Sequence, residues 1–76
     1  MPQTLNSRGK RALYNNLGQD EDLALRLDAA VRKVRPDGWR GNAQKEKVIK
    51  RELYGILRDD DEVERVFAII RQQTEY

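Results

Sequence analysis

Phosphate, metal and acid–base chemistry each demand particular residues at particular spacings. The chain has one Gly-Lys pair, Gly9-Lys10. A triphosphate-binding loop needs an earlier glycine, a following Ser or Thr and a strand ahead of it. Here Arg11 and Ala12 follow, and nothing before the pair reads as a strand. The pair reads as the fraying start of a helix. The run Asp59-Asp60-Asp61-Glu62, with Glu64, offers hard oxygen ligands, but it lacks the alternating ligands around a central glycine that a calcium loop uses. Helix capping accounts for it better. Carboxylate pairs of the glycosidase kind can be drawn from any chain holding 13 acids, and short helices offer no obvious cleft to house one. Histidine and cysteine are absent altogether. The commonest general base, the commonest metal ligand, thiol nucleophiles, thiolate zinc sites and disulfides go with them. We expect no catalytic residue, metal site or cofactor in this chain.

Three surface features remain as candidates. Lys47, Arg51, Tyr54 and Arg58 cluster on the side of one helix opposite Ile49, a basic stripe with an aromatic that suits contact with a nucleic-acid backbone. The alternative is a solvated face on which Tyr54 covers neighbouring aliphatic stems. Leu25 lies across its helix from Leu23 and Leu27, and Ile69 sits off the stripe of the last helix. Single exposed apolar residues are ordinary, but on one surface the two would mark a partner-docking patch. Trp39-Arg40 lies between helices. As the only tryptophan, Trp39 is expected to plug the core; an exposed Trp-Arg pair would instead be an interface hot spot.

The elements that position these residues are all helical. Asn6 or Ser7 caps a first helix over about residues 8–17, with Leu13 and Leu17 one turn apart and Gly18 as its left-handed stop. Asp20 caps a second, with Glu21 and Asp22 in the first turn, where the helix dipole favours anions. Leu23, Leu27, Ala30, Val31 and Val34 make one helical face, and Pro36 ends it. Pro36-Asp37-Gly38 is a turn signal, and Asn42 caps a third helix over about 43–57. There Ile49, Leu53, Ile56 and Leu57 share a face, and Glu46–Lys50 is a favourable i,i+4 pair. The acid run supplies a loop and a cap for a last helix over roughly 61–73, striped by Val63, Val66, Phe67 and Ile70. No segment alternates with period two. The expected fold is all-α, a small bundle of about four short amphipathic helices around a single core. Residues 8–76 form the domain, and residues 1–7 are an unstructured or added start.

At 76 residues the chain has room for one domain, burying about 60% of the surface its unfolded form exposes. Its apolar runs fall far short of the roughly 20 residues of a membrane span, and the start lacks the apolar stretch of a signal peptide. A cytoplasmic protein is the default expectation, with neither membrane nor small-molecule substrate as a partner. The net charge of +2 hides an asymmetry: residues 1–58 carry +6 and residues 59–76 carry −4. Such polarity suits nucleic acid on one side or another protein.

Three stretches have a familiar look. LGQDEDLAL (residues 17–25), RPDGWRGN (35–42) and EVERVFAIIRQQTEY (62–76) resemble the extreme C-terminus of the R subunit of type I restriction enzymes, with similarity running over about residues 11–76. In that family a nuclease domain and two ATP-driven translocase lobes precede a helical C-terminal region. The resemblance implies that Tyr76 is the natural end of a longer bacterial or archaeal chain and that Met1 is an added start. It implies that ATP and magnesium belong to the missing upstream domains, since no nuclease, ATPase or translocase motif is present to carry their residues. It further implies a role in assembly: docking the motor subunit onto the modification core of M and S subunits, with DNA contact as a possible accompaniment.

Three classes of function therefore stand side by side. One is the assembly module just described, and another is an auxiliary DNA-backbone-binding module working through Lys47, Arg51, Tyr54 and Arg58. A third is a free-standing small regulator or antitoxin, which the start Met1-Pro2 permits.

Overall fold

A computed structural model describes residues 5–76 as four helices: α1 Arg8–Asn16, α2 Glu21–Val34, α3 Ala43–Leu57 and α4 Asp60–Gln72. Each begins where a short polar side chain takes up a backbone N–H that the helix itself cannot satisfy. Ser7 Oγ accepts from the Lys10 N–H at 3.2 Å, Asp20 Oδ1 from Leu23 at 3.0 Å and Asn42 Oδ1 from Lys45 at 3.1 Å. Asp59 Oδ1 accepts from Asp61 at 2.8 Å and from Glu62 at 3.2 Å. The acid run thus opens α4 one residue earlier than its spacing predicts. The stops also follow the sequence, with two additions. After α1 both Gly18 (φ 66°) and Gln19 (φ 61°) turn left-handed, and α3 ends on a left-handed Arg58 (φ 57°).

Helices of this length are marginal alone, so their apolar faces must meet. They do so in a ring: α2 packs on α1 and α3, α4 packs on α3 and closes onto α1, and the backbones of the diagonal pairs stay apart across the shared core. Into the centre go Leu13, Leu27, Val31, Ile49, Leu53, Val66 and Ile70, all fully buried. Each such aliphatic side chain contributes about 1.5–3 kcal/mol relative to an exposed one. Trp39 closes the core from the α2–α3 loop, 3% exposed, its ring edge-on to Phe67 with centroids 5.6 Å apart.

Two expectations need correction. Residues 1–4 of the expected unstructured start lie outside the described residues, but Leu5 is 1% exposed and Ser7 caps α1. The folded unit therefore begins before residue 8, because Leu5 gains more in the core than in water. The Glu46–Lys50 pair does not form either. Glu46 Oε2 instead accepts the Gly41 N–H at 3.0 Å, while Lys50 Nζ meets Glu64 at 3.0 Å and lies 4.8 Å from the Phe67 ring centroid. An exposed i,i+4 pair contributes only about 0.2–0.5 kcal/mol, so tertiary partners easily displace it.

Candidate interaction surface

α3 is held from below by Ile49 and Leu53, both fully buried. Residues a half-turn away must then face solvent, and Lys47, Arg51, Tyr54 and Arg58 are all exposed. The structure brings these four together as one stripe on the helix and its cap. Lys45 and Lys50 of the same helix have partners, the Asp37 carbonyl at 2.6 Å and Glu64 at 3.0 Å. Lys47 and Arg51 have none among the described residues, and Arg58 Nε donates only to the Gly55 carbonyl at 3.2 Å. Val48, which the stripe as read from sequence did not include, is 45% exposed at one edge of this face, about a third of a turn from Tyr54, also 45% exposed, with Arg51 between them. Glu46 and Glu52 are both half-buried, and Glu52 lies one turn on from Val48.

Leu25 and Ile69 do not make a joint patch. They sit on α2 and α4, the diagonal pair, and Ile69 packs against the core while Leu25 is half-buried outside it. Trp39 is not available to a partner, since its ring is inside the core. Its neighbour Arg40 is exposed but occupied: the guanidinium lies 4.5 Å from the Trp39 ring centroid and Nη1 donates to the Tyr76 carbonyl at 2.7 Å. As an exposed hot-spot pair, Trp39-Arg40 is therefore excluded by its own packing.

What Arg40 holds is a clasp that sequence reading missed. Beyond α4 the chain turns back, and Tyr76, 5% exposed, packs over α1 and α2. Its hydroxyl donates to Asp28, an acid 3% exposed on the inner side of α2. Arg32 donates to the same carboxylate at 3.0 Å, stacks 5.0 Å from the Tyr76 ring centroid and pairs with Glu75. Glu75 Oε1 in turn accepts the Gly9 N–H at 2.6 Å, and Arg35 Nη1 reaches the Glu75 carbonyl at 2.6 Å. Gly9 is thus buried helix under Tyr76, not a fraying end.

The network shifts its own ionisations. Burial pushes the Tyr76 hydroxyl strongly up, and the Asp28 carboxylate it bonds pushes it further. For Glu75, burial works toward a higher value, but the Gly9 N–H, the Ser7 hydroxyl and Arg32 together hold it below its ordinary one. Burial also works against the Arg32 charge, and Asp28 and Glu75 outweigh it, leaving the guanidinium raised. No buried side-chain polar atom among the described residues lacks a partner, so the charges are matched as burial requires.

A pocket of about 230 Å³ lies beside the clasp, lined by residues Arg35 to Arg40 and Tyr76. Its two arginines already donate to the tail carbonyls, and it brings together no nucleophile–base pair. Among the described residues no three His, Cys, Asp or Glu side chains converge to hold a metal ion, and no helix is long and apolar enough to cross a membrane. Among known proteins, no family model, curated protein or solved structure matches the chain.

Proposed function

We propose that this chain is a non-catalytic assembly module, the C-terminal helical domain of an R subunit of a type I restriction enzyme. In this reading it docks an ATP-dependent nuclease and translocase onto the methyltransferase–specificity core, and the chemistry lies upstream. The observation that carries it is the way the resembling stretches use one another. RPDGWRGN supplies Arg35, Trp39 and Arg40, and these grip Glu75, Phe67 and Tyr76 of the closing EVERVFAIIRQQTEY. The resembling stretches thus meet within one folded unit. The test is a titration of the chain into a purified core of two M subunits and one S subunit. Binding, or displacement of intact R subunit, is expected; neither binding nor competition would refute the proposal.

A second reading, auxiliary contact with the DNA backbone, is favoured by the exposed and unpaired Lys47 and Arg51. It predicts sequence-independent affinity that falls with salt, each lost phosphate contact lowering the logarithmic slope by about 0.9. Binding to duplex DNA that is the same for the parent chain and for Lys47→Glu/Arg51→Glu would dispose of it.

A further inference from the structure

The aromatic side chains of the molecule divide unevenly between core and surface. Trp39, Phe67 and Tyr76 belong to the core, and Tyr14 packs against it. A cation also covers three of these rings: Arg40 lies over Trp39, Lys50 over Phe67 and Arg32 over Tyr76. Tyr54 has neither kind of cover. It is 45% exposed, and no ring or cation stacks on it among the described residues. Two arginines nonetheless flank it along α3, Arg51 three residues before and Arg58 four residues after, with Lys47 one turn further back. Lys47, Arg51 and Tyr54 fall within about 60° of arc on the helix, and Arg58 on its cap ends the row. Lys47 and Arg51 have no partner among the described residues, and Arg58 engages only its Nε, on the Gly55 carbonyl at 3.2 Å.

We infer that this row is a contact for single-stranded DNA. An unstacked base lies on the open ring of Tyr54, the phosphates on either side of it meet Arg51 and Arg58, and Lys47 takes the next. The inference deepens the second reading above, contact with the DNA backbone, and rests on it. Cations in line with an exposed aromatic are the parts of a sequence-tolerant single-strand site, charge for the backbone and a π-face for the base.

Other occupants use the row less fully. The bases of a duplex are already stacked on one another, so Tyr54 gains nothing from them. A duplex also places a charge every 1.7 Å or so along its axis, and Asp59, Asp60 and Asp61, all exposed, follow Arg58 and would repel phosphates running on past it. The row is about 17 Å long at 1.5 Å per residue, which suits a few nucleotides of a strand free to bend away before those acids. A protein partner finds no apolar centre here, because Arg51 separates Tyr54 from Val48, and interface hot spots are built around one. The three cations only donate, so they offer nothing to the proton of a ribose 2′-hydroxyl, and deoxyribose suffices.

The test titrates the ¹⁵N-labelled chain at low salt with a short oligothymidine, the matching oligouridine, a duplex of the same length and a polyglutamate peptide. Oligothymidine is expected to move the amides of Lys47, Arg51, Tyr54, Gly55 and Arg58. Its affinity should fall with salt at a logarithmic slope of about −2, roughly 0.7 for each of three phosphates. Tyr54→Ala should weaken oligothymidine about fivefold or more without changing the affinity for the duplex, and Tyr54→Phe, which keeps the ring, should bind like the parent. Lys47→Glu/Arg51→Glu should remove the shifts. Arg26→Glu/Lys33→Glu, an equal change of charge at exposed positions of α2, should keep them.

The inference is overturned if Tyr54→Ala binds oligothymidine as the parent does, or if it weakens the duplex equally. It is also overturned if oligouridine or the peptide moves the row and oligothymidine does not. A row moved by the duplex but not by oligothymidine sinks the inference and leaves the second reading standing. A row moved by neither ends both.

Discussion

Replacing a helical glycine by alanine ordinarily stabilises a protein, and Gly9 is where that rule should reverse. A Cβ at this position would stand 2.6 Å from the Tyr76 hydroxyl oxygen and 2.7–2.8 Å from two ring carbons. The ring lies across the first turn of α1 with its hydroxyl on Asp28, so a Cβ here must displace the ring and weaken that bond. In Gly9→Ala the tyrosine must swing away, and a carboxylate 3% exposed loses its hydroxyl donor. A hydrogen bond to a charged group contributes about 1.5–3 kcal/mol, and the helix-propensity gain from alanine offsets up to about 1 kcal/mol of it. The net expectation is destabilisation by about 0.5–2 kcal/mol, which in a domain this small lowers Tm by roughly 2–15 °C. Gly55→Ala is the internal comparison, since its Cβ meets nothing within 4 Å; it should stabilise by about 0.5–1 kcal/mol. Urea and thermal unfolding followed by circular dichroism measure both. A double-mutant cycle sharpens the result: in a Tyr76→Ala background the obstruction is gone, so Gly9→Ala should change sign and stabilise. If Gly9→Ala stabilises the parent as Gly55→Ala does, the packing of Tyr76 on α1 is refuted.

Other consequences are as direct. Tyr76→Phe keeps the ring but removes the hydroxyl from Asp28, and should lower the urea midpoint by the equivalent of about 1–3 kcal/mol; an unchanged midpoint would count against the bond. Because the Tyr76 hydroxyl is raised in the folded chain, its contribution is complete below about pH 10 and is lost as pH rises toward the folded value. The parent should therefore lose stability in alkali more steeply than Tyr76→Phe, and equal slopes would contradict this. Glu75 is held below its ordinary value, so the unfolded chain binds more protons in acid. Its stabilisation is complete above about pH 4.3 and is lost as pH falls through the folded value, and Glu75→Gln should flatten that acid limb in a pH series of melts. Arg58 holds a left-handed conformation with φ 57°, which costs a residue with a Cβ about 1–2 kcal/mol. Arg58→Gly should accordingly raise stability by about 0.5–1 kcal/mol, and a lower Tm would show that the side chain does more than end the helix.

The helices were legible because their signals are local. Ser7, Asp20, Asn42 and Asp59 each cap within three residues of themselves, and the 3.6-residue stripes name most of the core. The basic stripe of α3 was legible for the same reason: residues spaced three, four and seven apart share a face whatever lies beneath it. The clasp was not, because its contacts join Asp28 to Tyr76 and Gly9 to Glu75 across 48 and 66 residues and leave no periodic trace. One signal was there to read. Asp28 falls between Ala24 and Val31 on the inner side of α2, both fully buried, and an acid on a buried side demands partners. Arg32 one turn on is the first of them, and a tyrosine at the far end of the sequence is the second. Val48 escaped notice because β-branched residues are read as core by default, and only the orientation of α3 shows it facing out.

The clasp also bears on how the chain is threaded. Leu5 and Tyr76 are both buried in the same domain, and the hydrogen bond from Gly9 to Glu75 puts the two ends of the folded unit side by side. Neighbouring ends are the condition for circular permutation. A short linker could join them, and new ends could be opened at Gly18-Gln19, an exposed turn. In such a chain α2 would come first and α1 last, with the former tail leading through the linker into the helix it now grips. The closure of α4 onto α1, made now by packing and by the clasp, would then be reinforced by a covalent link. The order of its helices along the gene would cease to matter to its shape.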